Sequence, residues 1–122
     1  MSDTFRLFWE DQAAFMRLLV EKRGFPKFPL NLDEKSGQRF IKSILHDMMC
    51  EVSEVIRELK NSKKHRAAEV TQFDRAAYLE EICDVQKFVL EVLLLSGITP
   101  EEFKEAYFKK SDINIKRINE GY

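Results

Sequence analysis

Ile41, Leu45, Met48, Val52, Val55, Ile56 and Leu59 recur every three to four residues, an unbroken apolar stripe at the period of an α-helix. The strong periodicity elsewhere in the chain is of the same kind, which commits it to helix packed on helix. A first helix is expected from about Thr4 to Arg23, with Phe5, Phe8, Phe15, Met16 and Leu19 on a stripe that Gln12 interrupts. Gly24 stops it, and Pro26 and Pro29 force the following FPKFPLN into an extended loop. The second helix runs from about Glu34 to Asn61. A third, from about Phe73 to Ser96, follows the basic linker NSKKHRAAEVTQ and is expected to start on Thr71 with Asp74 three residues on. Its apolar residues spread around much of the circumference, so a partner subunit is expected to cover part of it. The fourth start is the best marked: Thr99 as cap, Pro100 at the first helical position, Glu102 at the third. That helix is expected to end near Lys110. The fold class is all-α, a four-helix bundle-like protomer that assembles through its helices into a homo-oligomer.

The chain has 122 residues, which suits one domain spanning 1–122. Hydrophobic residues at 44% and charged residues at 34% argue against disorder and against a membrane span. The longest apolar run, Phe88–Leu95, is broken by Glu91 and is far short of the roughly 20 residues a bilayer requires. Lys and Arg number 20 against 21 Asp and Glu, so there is no basic footprint for a nucleic-acid polymer and no polybasic membrane anchor. The opening MSDTFRLFWEDQ lacks a basic stretch followed by an apolar core, so no signal peptide and a cytoplasmic, reducing location are expected. Cys50 and Cys83 are then free thiols, expected as small core residues, and with His46 and His65 they lack the spacing of a zinc site.

Chemistry shows on an acidic edge. Asp47, Glu51, Glu54 and Glu58 fall on one side of the second helix, flanking its apolar stripe, with no basic residue inside the acidic row. Like charges one turn apart destabilise a helix by roughly 0.2–0.5 kcal/mol per pair. The third helix repeats the device with Glu80, Glu81 and Asp84, and Asp74 earlier. Antiparallel packing sets Glu51 and Glu54 opposite Glu81 and Asp84, four carboxylates that repel unless cations neutralise them. Oxygen-only donors select hard divalent ions, Mg²⁺ first and Mn²⁺ as a substitute. A di-iron carboxylate bundle requires Glu-x-x-His on two helices, and that motif occurs nowhere in the chain.

Carboxylate-held magnesium commonly handles phosphates, which also need cationic and amide donors. Lys110, Asn114 and Arg117 supply them on one face if the C-terminal segment is helical. Lys63 and Lys64 in the linker are weaker phosphate candidates.

These motifs, EVSE at Glu51–Glu54, EEICD at Glu80–Asp84 and the ending YFKKSDINIKRINEGY, resemble those of the all-α nucleoside triphosphate pyrophosphohydrolases. That superfamily contains the MazG-like and the dimeric dUTPase-like enzymes, and the match in order and spacing covers Phe40 to Tyr122. The resemblance implies Mg²⁺-dependent hydrolysis of a (deoxy)nucleoside triphosphate to monophosphate and pyrophosphate, house-cleaning of the nucleotide pool with a dUTP- or dCTP-like pyrimidine favoured. It implies Glu51, Glu54, Glu81 and Asp84 as metal ligands and catalytic groups. Lys110, Asn114, Arg117 and Tyr122 fall at its substrate-contacting positions. The base pocket of such enzymes is partly built by the N-terminal helix, which makes Gln12 a reader of the base edge and Trp9 and Phe8 stacking surfaces. A homodimer or a dimer of dimers is implied as well. The competing class is a non-catalytic helical dimer of the same ancestry that binds a nucleotide or a protein.

Overall fold

The computed structural model describes residues 3–70 and 72–121. Among them are four α-helices and no strand: α1 Thr4–Arg23, α2 Lys35–Glu58, α3 Arg75–Leu95 and α4 Pro100–Asn119, with one short 3₁₀ turn at Lys60–Ser62. Asp3 starts α1 by accepting the Arg6 amide at 3.0 Å. Gly24 ends it at φ 67°, a left-handed turn that any side chain would strain.

The proline loop then threads back against the C-terminal end of α3. The Leu30 amide donates to the Leu95 carbonyl at 2.8 Å, and Gly37 in the first turn of α2 sits against the Asn31 carbonyl so closely that no Cβ fits between them. These contacts place Leu30 and Phe28 beneath a core of Ala13, Met16, Ile44, Leu94 and Leu95. The core therefore occupies one end of the molecule, where the N-terminal half of α2 meets the C-terminal half of α3 and α1 covers both. At the other end Met49 and Ile56 of α2 and Leu79 of α3 stay exposed.

Three expectations are corrected. The third helix starts on Asp74, whose carboxylate accepts the Ala77 amide at 3.0 Å; Thr71 lies outside the described residues. Aspartate is the stronger cap, and placing it there frees the preceding chain to form a closed loop. Within that loop the Asn61 amide side chain donates to the Val70 carbonyl at 3.0 Å and accepts the Val70 amide at 2.8 Å, a clasp at the neck below Lys63, Lys64, His65 and Arg66. The fourth helix continues past Lys110 to Asn119, because Ser111 satisfies its hydroxyl on the Tyr107 carbonyl inside the helix and Lys116 and Arg117 suit its C-terminal end. Cys50 and Cys83 are exposed free thiols rather than core residues.

The crowded apolar surface of α3 divides in two. Leu90, Leu93, Leu94 and Leu95 are buried inside the protomer, whereas Leu79 and Ile82 face solvent. Thr99 caps α4 as its motif predicts, accepting the Glu102 amide at 3.1 Å. Phe103 then stacks on Phe5 with ring centroids 5.4 Å apart, and Arg6 pairs with Glu101. These contacts seat the first half of α4 on α1.

Candidate metal centre

The broadest packed seam in the molecule joins α2 and α3. Glu51 approaches Glu81 and Asp84, while Asp47, one turn earlier on α2, acts on Glu91, later on α3. Numbers falling on one helix as they rise on the other mean the two run antiparallel. That register brings one carboxylate oxygen from each of Glu51, Glu81 and Asp84 within 4.8 Å of one another. All three side chains are half-buried.

Crowding of this kind leaves an electrostatic mark. Glu81 is held above the ordinary carboxylate range, first by burial and then by the charges of Asp84, Glu54, Glu51 and Glu80. The fourth expected ligand, Glu54, stands outside the trio and accepts from the Arg57 guanidinium at 2.7 Å. The acidic edge is thus not without a basic neighbour, contrary to the sequence expectation. The pair is solvent-exposed and one turn long, an arrangement worth at most about 1 kcal/mol.

Sequence reasoning missed Glu91. It is only 7% exposed, forms no hydrogen bond or ion pair among the described residues, and is pushed above the ordinary range by burial and then by Asp47. The available signal was its place as the lone charge inside the longest apolar run.

Gln12 is buried to 2% exposure, and its Oε1 has no hydrogen-bond partner. Together with Phe8, Cys83, Gln86, Lys87 and Leu90 it lines a cavity of about 360 Å³ between α1 and α3. The rim is closed by Lys87 and Asp11, 3.8 Å apart. Trp9 does not line this cavity. It packs on the core with Nε1 likewise unpartnered.

Lys110, Asn114 and Arg117 do share one helical face, since α4 is continuous through them, but they are not brought to the carboxylates. The fourth helix rests on α1 and has no comparable seam with α2 or α3. Lys63 and Lys64 are exposed at the loop tip, and Tyr122 lies outside the described residues. Comparison with family models, with curated proteins and with solved structures gives no match. The functional reading therefore rests on this chain's own residues. No described helix is long and apolar enough to cross a membrane.

Proposed function

We propose that this chain hydrolyses a (deoxy)nucleoside triphosphate, with a pyrimidine base favoured, to the monophosphate and pyrophosphate, working as a homodimer or a dimer of dimers in nucleotide-pool house-cleaning. The observation that carries the reading is the convergence of Glu51, Glu81 and Asp84 in a half-buried seam where none of the three forms an ion pair among the described residues. An all-oxygen, all-anionic donor set favours Mg²⁺, with Mn²⁺ as substitute, over zinc. When bound, that ion offsets charge on the phosphoryl oxygens and eases ionisation of the attacking water.

The chain's own groups do the rest. Glu51, Glu81 and Asp84 would hold the ion, and Glu54, once released from Arg57, would orient the attacking water and take its proton. Water oxygen bonds to the α-phosphorus, the bond from that phosphorus to the α–β bridging oxygen breaks in line, and pyrophosphate departs. The unanswered Gln12 Oε1 accepts an N–H from the base edge in the cavity beside Phe8. Lys110, Asn114 and Arg117, which stand away from their own subunit's carboxylates, are assigned to the phosphates and sugar in the assembled oligomer.

Incubating the protein with Mg²⁺ and a panel of ribo- and deoxyribonucleoside triphosphates, with and without chelator, tests this directly. Chelator-sensitive pyrophosphate release with one preferred base is expected. Glu81→Gln and Asp84→Asn should each lower the rate by more than about 100-fold while the melting temperature holds or rises, because each removes a repelling charge. Wild-type rates in either variant would end the site assignment. Metal-dependent nucleotide binding with no pyrophosphate release would instead identify a binding module.

A further inference from the structure

We infer that the N-terminal half of α2 carries a second ligand site, for a soluble organic di- or triphosphate. Its phosphates lie along Lys35, Arg39 and Lys42, and its apolar part sits in the cleft of Leu32, Ile41 and Leu45. The site is separate from the acidic seam and does not depend on the pyrophosphohydrolase reading.

The charges of α2 run against its own dipole. Acidic groups suit the start of a helix and basic groups its end. The fourth helix obeys, with Glu101 and Glu102 in its first turn and Lys116 and Arg117 in its last. The second helix does the opposite. Residues 35–46 hold Lys35, Arg39, Lys42 and His46 with no acidic residue, and residues 47–58 hold Asp47, Glu51, Glu54 and Glu58 with the single cation Arg57. The α2–α3 seam accounts for most of the acidic half. Nothing inside the protomer accounts for the basic half: among the described residues none of its four side chains forms a hydrogen bond or an ion pair. The carboxylate next to it in sequence, Glu34, accepts instead from the Asn31 side-chain amide at 3.3 Å.

Helical geometry makes the four one row. At about 100° and 1.5 Å per residue they fall within about 60° of the circumference and over about 16 Å of length. That row lies about 120° around α2 from the acidic row, so the two face different ligands. Like charges one turn apart repel, and a multiply charged anion laid along the row relieves them. A cavity of about 440 Å³ is lined by Lys35, Gln38, Arg39 and Lys42. Beside it a cleft of about 350 Å³ is lined by Leu32, Gln38, Ile41, Lys42, Leu45 and Ser96. Gln38 and Lys42 line both, so a cationic trough adjoins an apolar one, each in the size range of small-molecule sites. The shared wall is held in place, because the Gln38 side chain donates to the Leu32 carbonyl at 2.7 Å. Leu32 and Leu45 are 41% and 38% exposed, apolar surface left open beside the cations. Lys35, Arg39 and Lys42 fall within about 10 Å of helix, more positive charge than one carboxylate answers. A short phosphate chain fits them, with Arg39 offering paired N–H donors and the lysines acting as point charges. The adjoining cleft makes the ligand organic.

Titration calorimetry in chelator, where the carboxylates hold no ion, tests the site with two probes, sodium tripolyphosphate and a nucleoside triphosphate. Both are expected to bind, the nucleotide more tightly, and raising NaCl from about 50 to about 300 mM should weaken both. Arg39→Glu/Lys42→Glu should lower tripolyphosphate affinity by more than about 10-fold, with unchanged circular dichroism and unchanged pyrophosphate release in Mg²⁺. Glu81→Gln/Asp84→Asn should bind tripolyphosphate as the wild type does. Leu32→Ser should erase the nucleotide's advantage and leave tripolyphosphate binding intact. No tripolyphosphate binding by the wild type at millimolar concentration overturns the proposal, as does binding that survives Arg39→Glu/Lys42→Glu. Binding confined to a single-stranded oligonucleotide or to anionic vesicles overturns it as well, since a polymer or a membrane is then the partner. A nucleotide that binds no tighter than tripolyphosphate, or that keeps its advantage in Leu32→Ser, overturns the assignment of the apolar cleft. If the wild type releases no pyrophosphate while tripolyphosphate still binds, the catalytic reading falls and this site stands.

Discussion

Gln12 occupies the face of α1 that also buries Ala13 and Met16, yet its oxygen accepts nothing. Leaving a buried acceptor unanswered costs about 1–3 kcal/mol, whereas replacing it with an apolar group of similar shape is close to neutral. Gln12→Leu should therefore melt at the same temperature or higher. If the amide reads the base, the same variant should lose discrimination among nucleotides, its kcat/KM values converging while one turnover number is kept. A fall of several degrees in Tm with selectivity intact would make the amide structural. This residue was legible in the sequence, because it interrupts an otherwise apolar stripe. Glu91 interrupts a longer one and was visible only as an oddity. Its meaning depends on facing Asp47, and that follows from the register of two helices rather than from either one. Trp9 illustrates the opposite case: its type suits stacking on a base, but packing turns it into the core.

Among the elements, the boundaries that were legible are those where several signals agree. At the start of α4 the cap, the proline and the acidic first turn all fall within Thr99–Glu102, and the structure begins the helix there. Thr99→Ala should lower stability by about 1 kcal/mol, a few degrees in Tm, with no change in the helix content of the folded state. An unchanged melting curve would mean that Pro100 and the Phe5–Phe103 stack suffice to hold the turn. The end of α4 was not legible, since Ser111, Asp112 and Asn114 read locally as helix breakers. They are tolerated because Ser111 bonds back to its own helix and the others face solvent. Burial was the hardest element-scale property to read. Cys50 and Cys83 have core-like chemistry, but whether a residue is covered depends on which neighbouring helix packs over it.

Across the molecule, the acidic seam makes stability depend on pH in a direction that can be worked out. Folding raises Glu81 and Glu91 above the ordinary carboxylate range, so the folded chain holds these protons more tightly than the unfolded chain. That contribution is present in full below the ordinary range and is lost as pH rises through the raised values. Metal-free protein should accordingly melt higher near about pH 5 than at about pH 7.5. Mg²⁺ added at the higher pH should restore the difference by binding only the folded state. Melts recorded with chelator and with Mg²⁺ across this interval check it, and identical curves under both conditions would show that the carboxylates do not share an ion. The clasp between Asn61 and Val70 has a consequence of another sort. It closes residues 62–69 into a ring of their own, so the helices on either side do not register what the ring contains. Lengthening such a ring costs little, about 0.6 kcal/mol for each doubling. Here the chain can accept an insertion, or exchange its basic tip for a foreign one, at little cost to the four helices.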